Sequence, residues 1–86
     1  MIEGKKGSSR RSRKLQRTSG YEVIRVLERF GFVQIRQRGS HVILKKQTSE
    51  GTVGCVVPLH DEVAVGTLRG ILRQAGVTPE EFMQVL

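Results

Sequence analysis

The sequence predicts a small α+β sandwich, a three-stranded antiparallel sheet with helices on one face. Apolar residues recur at helical spacing near both ends of the folded part, whereas they alternate with polar residues in the middle. Glycines and prolines stand at the boundaries between these segments. The predicted order is α-β-β-β-α-α, and 86 residues suffice for one such domain only.

The positive charge is concentrated at the N-terminus. Residues 1–20 hold seven of the 15 basic residues but only one of the eight acidic ones, so they carry +6 of the net charge of +7. This stretch has almost no apolar surface to bury, which predicts a disordered basic tail over residues 1–18 and a folded domain over residues 19–86. Two interpretations of the tail stay open. It adds nonspecific affinity for RNA through contacts with phosphates, or it is a misassigned start of the sequence and has no function.

The first helix is predicted to begin at the capping box Ser19–Glu22 and to end at Gly31. Its apolar stripe is Val23, Ile24, Leu27 and Phe30. A strand follows over residues 32–38, and alternation assigns Val33 and Ile35 to the side that faces the helices.

A hairpin and a third strand complete the predicted sheet. Gly39 and Ser40 form a two-residue turn, and the second strand covers residues 41–46. Residues 47–52 are polar and predict a loop, and the third strand covers residues 53–57 before Pro58.

Two helices are predicted at the C-terminal end. Thr67 is expected to cap the first and Gly76 to end it, and its apolar stripe is Leu68, Ile71, Leu72 and Ala75. The box at residues 78–81 starts the last helix, with Phe82 and Leu86 expected to pack inward. All four aromatic residues, Tyr21, Phe30, Phe32 and Phe82, are expected in the core.

A histidine at the hairpin turn is the main candidate for chemistry. Alternation places His41 on the solvated face of the sheet together with Arg36, Ile43 and Lys45, and Arg38 shares the parity of Arg36. Cations around one imidazole suit a phosphodiester, and RNA carries its own nucleophile in the 2′-hydroxyl, which a neutral histidine can deprotonate. The alternative is a surface histidine without a function.

His60 follows the third strand and leaves several interpretations open. It can share acid and base roles with His41, bind a metal together with Asp61 and Glu62, or be an ordinary turn residue. The spacing of these residues is not that of a zinc site, so neither a metal site nor a cofactor is predicted. Cys55, the single cysteine, is expected to be a small core residue.

Arg69 and Arg73 stand four residues apart on the second helix, opposite its apolar stripe. They either bind phosphate near the helix start at Gly66 or lie on an ordinary solvated face. One cysteine indicates a reducing, cytoplasmic location, and no apolar run approaches the roughly 18 residues of a membrane span.

Five blocks of residues together resemble the HicA family of toxins, also called YcfA-like proteins. The blocks lie at residues 19–20, 27–32, 36–41, 57–60 and 66–76. The resemblance implies a fold like the double-stranded-RNA-binding domain and metal-independent cleavage of mRNA. It implies that His41 of the Gly-Ser-His motif is catalytic, and His60 matches a position often occupied by histidine, as a possible auxiliary residue. The candidate RNA or phosphate contacts beside them are Arg36, Arg38, Ser40, Lys45, Arg69 and Arg73. It also implies a HicB-type antitoxin as partner.

Three functions follow as hypotheses: a ribonuclease toxin, a module that binds double-stranded RNA without cutting it, and a protein whose main role is to bind its antitoxin. Residues 21–86 are nearly neutral and show no lysine cluster on the second helix, which a duplex-binding surface would need. The sequence therefore favours the ribonuclease.

Overall fold

The computed structural model describes residues 18–86, which form a two-layer α+β domain. Its elements are α1 (Gly20–Arg29), β1 (Val33–Arg38), β2 (His41–Thr48), β3 (Gly51–Pro58), α2 (Val65–Ala75) and α3 (Pro79–Val85). The strands form one antiparallel sheet in the order β1-β2-β3. The predicted fold class is confirmed, and the element order agrees with the double-stranded-RNA-binding-domain-like fold that the resemblance implied.

The core lies between the helices and one face of β2 and β3. It is built from the apolar stripes of α1 and α2, from alternate residues of β2 and β3, and from Phe82 of α3. Each large apolar side chain buried there stabilises the fold by about 1.5–3 kcal/mol. Its fully buried members are Val23, Leu27, Val42, Leu44, Val57, Val63, Leu68, Leu72 and Phe82.

The start of α1 is the predicted capping box. The Glu22 N–H donates to Ser19 Oγ at 3.1 Å, and the Ser19 N–H donates to Glu22 Oε1 at 2.9 Å. The predicted tail lies outside the described residues except for Thr18. Thr18 is buried, and its carbonyl accepts the Val63 N–H at 2.7 Å.

The predicted facing of β1 is wrong. Val33 and Ile35 are 60% and 53% exposed, not packed under the helices. The register with β2 shifts between Gln34 and Arg36, so Ile35 is an extra residue in a β-bulge. Strict alternation fails at this residue, so the part of β1 before the bulge faces the side opposite to the prediction, whereas Arg36 and Arg38 after it face the predicted side.

Cross-strand partners share a face of the sheet, so the register fixes both faces of β1. Gln34 lies opposite Leu44 and Gln37 opposite Val42, which places both amides on the side of the helices. On the other side lie the pairs Val33 and Lys45, Arg36 and Ile43, and Arg38 and His41.

The second hairpin is tighter than predicted. β2 extends to Thr48 and β3 begins at Gly51, so only Ser49 and Glu50 lie between them. Thr48 Oγ1 accepts the Glu50 N–H at 3.1 Å, and Gly51 has a φ of 127° that suits glycine.

The start of α2 also differs from prediction. The helix begins at Val65 with Ala64 as its N-cap, and Thr67 does not cap it. Because Val63 is buried and bonded to Thr18, the chain turns into the helix directly after it. Gly76 ends α2 with a φ of 74°, as predicted.

The box at residues 78–81 starts α3, as predicted, and Phe82 is buried. Leu86 is 50% exposed, so its predicted inward packing is wrong. Within residues 18–86, no helix has the length and the apolar character that would let it cross a membrane.

Candidate functional site

His41 is the first residue of β2 and is exposed to solvent. The turn before it, Gly39 and Ser40, contains a left-handed residue, Gly39 with a φ of 59°. Arg38 of β1 and Pro58 of β3 are its cross-strand partners. The imidazole therefore stands at one end of the sheet, on the side away from the helices.

The cations predicted to surround His41 do share its face. Arg38 lies directly opposite it, Arg36 lies opposite Ile43, and Lys45 lies further along β2 on the same side. Side chains of directly opposed residues have Cβ atoms about 4.5–5.5 Å apart. All three cations are exposed, so a phosphate at His41 would meet positive charge from neighbouring positions.

Apolar side chains extend this cationic surface along the sheet. Val33, Ile35 and Val56 are exposed, and Ile43 beside them is half-buried. A shallow depression of about 620 Å³ is lined by Val33, Ile35 and Lys45, among others. We call the surface formed by Val33, Ile35, Arg36, Arg38, His41, Ile43, Lys45 and Val56 the open face.

The histidine turn is fixed by backbone contacts that sequence reasoning missed. The Leu59 N–H donates to the Ser40 carbonyl at 2.7 Å, and the Gly20 N–H donates to the His60 carbonyl at 2.9 Å. A Cβ at Gly20 would lie 2.0 Å from the Pro58 carbonyl oxygen. The end of β3 thus connects the start of α1 to the turn, and only glycine fits at that contact.

His60 lies two residues beyond Pro58, the cross-strand partner of His41, and is exposed. β3 lies beside β2 in the sheet, with Pro58 directly opposite His41, so the chain carries His60 away from the strand end next to His41. Among residues 18–86 there is no group of three His, Cys, Asp or Glu side chains arranged to hold a metal ion.

Cys55 is a core residue, as predicted, with 3% of its surface exposed. Burial raises the pKa of its thiol from 9.0 to about 11. The side chain therefore stays a thiol at neutral pH, and a thiol is a poor nucleophile.

Arg69 and Arg73 are exposed on α2, which belongs to the helix layer. They line a hollow of about 280 Å³ together with Leu72, Val77 and Pro79. The structure does not bring these two arginines to the open face. They are separate from the cations around His41.

A groove between α1 and β1 was also missed by sequence reasoning. Tyr21 at its rim is 63% exposed, so the expectation that all four aromatics lie in the core is wrong. The side chain of Gln34 donates to Glu28 at 3.1 Å, and that of Gln37 donates to the Gly39 carbonyl at 2.9 Å. The groove, of about 230 Å³, is lined by Tyr21, Ile24, Arg25, Glu28, Gln34, Gln37, Val42 and Leu59.

The fold and site define a small α+β domain with one exposed histidine among cations on an uncovered sheet face. The family model described as "HicA toxin of bacterial toxin-antitoxin" matches residues 20–77, from the start of α1 to just beyond α2. That match covers more than half of the chain, and the protein belongs to the HicA toxin family. The family implies a toxin of a bacterial toxin-antitoxin system, with an antitoxin as partner. No curated protein is similar enough to the chain to count as a match.

Proposed function

We propose that this protein is an endoribonuclease that cleaves mRNA without a metal ion, using His41 as general base or acid. One observation carries the proposal: His41 is exposed at the end of the sheet with Arg38 directly opposite and Arg36 and Lys45 on the same face. The family supports a toxin, and an exposed imidazole among cations suits attack on a phosphodiester.

In the proposed reaction, the neutral imidazole of His41 takes the proton of a ribose 2′-hydroxyl. The 2′-oxygen attacks the adjacent phosphorus, and the bond from phosphorus to the 5′-oxygen of the next nucleotide breaks. Guanidinium groups of Arg36 and Arg38 and the Lys45 ammonium stabilise the charge that grows on the phosphate. The products are a cyclic phosphate and a 5′-hydroxyl.

The leaving 5′-oxygen must receive a proton. His60 is the candidate for this step, because it follows the strand that pairs with His41. Ser40 lies in the turn, and its hydroxyl is a candidate hydrogen-bond donor to the phosphate. Arg69 and Arg73 lie on α2 and would contact the RNA away from the scissile bond.

We propose further that the antitoxin, of the HicB type, covers the open face and so excludes RNA from His41. The exposed Val33, Ile35 and Val56 beside Arg36 and Arg38 suit a partner surface with apolar and acidic residues. Both proteins would act in the cytoplasm, where mRNA is found. The basic N-terminal tail, outside the described residues, would add nonspecific affinity for RNA.

The test is cleavage of a long mRNA in the presence of EDTA by wild type and by His41→Ala. Removal of a general base or acid typically costs about 10²–10⁴ in rate, so the variant should be nearly inactive. His60→Ala tests the second exposed histidine, and this variant should also lose activity if His60 protonates the leaving 5′-oxygen. Equal cleavage by wild type and His41→Ala would refute the assignment of His41.

If EDTA abolishes cleavage by wild type, the reaction needs a metal ion and that part of the proposal is wrong. If wild type and His41→Ala bind RNA equally and neither cuts it, the protein is an RNA-binding module. Affinity that falls steeply with salt and is indifferent to His41→Ala would indicate the same.

A further inference from the structure

We propose that the groove between α1 and β1 holds one unpaired nucleobase of the RNA, stacked on Tyr21. This inference rests on the proposed function, since the RNA backbone would pass over the turn that carries His41. Tyr21 and Gln37 would then be positioning residues for the substrate, not catalytic residues.

The groove combines the two features that bind single-stranded RNA bases. Such bases stack on aromatic side chains and form hydrogen bonds along their edges. Tyr21 offers a ring that is 63% exposed, and an exposed ring contributes little to the core. Around it lie the carboxamides of Gln34 and Gln37 and the guanidinium of Arg25. Each carboxamide can both donate and accept hydrogen bonds, as a base edge requires.

The bulge in β1 places Gln34 in the wall of the groove. If β1 were regular and kept Arg36 on the open face, alternation would direct Val33 and Ile35 toward the helices and Gln34 away from them. With the bulge, Gln34 lies on the helix side opposite Leu44, and Gln37 lies on the same side opposite Val42. Bulges are frequent beside functional sites, where they redirect a side chain.

The groove adjoins the histidine turn. Val42 lines it and is the residue after His41, and Leu59 lines it and donates its N–H to the Ser40 carbonyl. Gln37 lines it and donates to the Gly39 carbonyl. The base and the scissile phosphate would lie on either side of the hairpin end.

The end of the hairpin leaves room for the RNA backbone to cross. Gly39 has no side chain, and a Cβ placed there would meet nothing within 4 Å. The groove itself, at about 230 Å³, is smaller than the roughly 300–1,000 Å³ of pockets for drug-sized ligands. It therefore suits one flat heterocycle and not a base pair.

The chain contains one tyrosine and no tryptophan, so its tyrosine emission reports on this groove alone. The experiment titrates the His41→Ala protein with a short single-stranded RNA and follows both tyrosine emission and RNA anisotropy. Stacking should quench the emission as the RNA binds. Adding Tyr21→Ala should weaken binding roughly 5- to 150-fold, the loss typical of removing one stacked base, whereas Tyr21→Phe should bind nearly as well as its parent.

Two further variants separate stacking from packing. Tyr21→Leu keeps an apolar side chain without a flat ring and should lose most of the affinity that Tyr21→Ala loses. Leu86→Ala removes a similarly exposed apolar side chain elsewhere and should leave RNA affinity unchanged. In a protein with His41 intact, Tyr21→Ala should raise KM more than it lowers kcat.

The outcomes distinguish this inference from the proposed function. If RNA binds but emission does not change and Tyr21→Ala binds like its parent, the groove is not a base site, although the nuclease proposal stands. The same two results are expected if the groove instead binds a side chain of a partner protein, and they would overturn this inference in that case too. If wild type neither binds nor cuts RNA, the proposed function fails and this inference with it.

Discussion

Replacing Gly20 by alanine places a methyl group where the backbone of β3 already lies. The new Cβ would be 2.0 Å from the Pro58 carbonyl oxygen and 2.9 Å from Leu59 Cα. Both are backbone atoms, so no side-chain rotation relieves the contact. The start of α1 and the end of β3 must move apart by about 1 Å, since protein carbons and oxygens hardly ever approach closer than 3 Å.

The expected cost combines three contributions. Overpacking of this kind costs about 1–3 kcal/mol. The shift also strains the bond from the Gly20 N–H to the His60 carbonyl, 2.9 Å long, which contributes about 0.5–1.5 kcal/mol. Alanine in a helix recovers about 0.5–1 kcal/mol relative to glycine. The free energy of unfolding should fall by about 0.5–4 kcal/mol. Small domains have a free energy of unfolding of roughly 0.05–0.15 kcal/mol per residue, so a loss of this size is a large share of the total.

The assay is unfolding in urea, monitored by circular dichroism. With a slope of about 1–3 kcal/mol per molar urea, the midpoint should fall by about 1 M. Gly70→Ala is the matched control, because a Cβ there meets nothing within 4 Å inside α2, and it should raise stability by about 1 kcal/mol. A Gly20→Ala protein as stable as wild type would refute the close contact between α1 and β3.

Three further predictions concern local features of the fold. Ser19→Ala removes the cap of α1 and should lower stability by about 1 kcal/mol in urea unfolding, whereas Ala at the exposed Ser49 should change little. Gly76→Ala places a side chain at a φ of 74° and should cost about 1–2 kcal/mol, opposite in sign to Gly70→Ala. The Cys55 thiol, with its pKa raised to about 11, stabilises the fold below pH 9.0, and this contribution is lost as pH rises to about 11. The stability difference between wild type and Cys55→Ala should therefore shrink by up to roughly 2–3 kcal/mol between pH 8 and pH 11.

Each of these has a result that contradicts it. Equal loss at Ser19 and Ser49 would mean that the capping box adds nothing. Equal effects at Gly76 and Gly70 would mean that the backbone is not left-handed after α2. A pH-independent difference for Cys55→Ala would mean that the thiol titrates alike in the folded and unfolded states.

Features set by a few neighbouring residues were predictable from the sequence. The capping boxes at Ser19 and Thr78 follow from side chains three residues apart, and the left-handed end of α2 follows from Gly76. The exposed position of His41 follows from its place beside a turn and from alternation in β2. Local chemistry decides these features, so they appear in the sequence pattern.

Features set by contacts between distant residues were not predictable. β1 contains neither glycine nor proline, so nothing in its residues indicates that Ile35 is bulged out. The start of α2 depends on the bond between Val63 and Thr18, and the need for glycine at position 20 depends on Pro58. The prediction for β1 assumed a regular strand, which is wrong. Arg36 nevertheless lies on the open face as predicted, because the bulge changes the sides of Val33 and Ile35 and not of Arg36.

The extra residue in β1 also bears on how copies of this protein behave at high concentration. Within the part of the chain that the structure describes, β1 is an edge strand whose outer backbone groups pair with no other strand. A flat edge with exposed Val33 and Ile35 would be a template for a second copy and, by repetition, for fibres. The irregular backbone at Ile35 breaks that template, and the like charges of Arg36 and Arg38 repel an identical strand. The strand that keeps an apolar surface exposed is thereby protected against self-association.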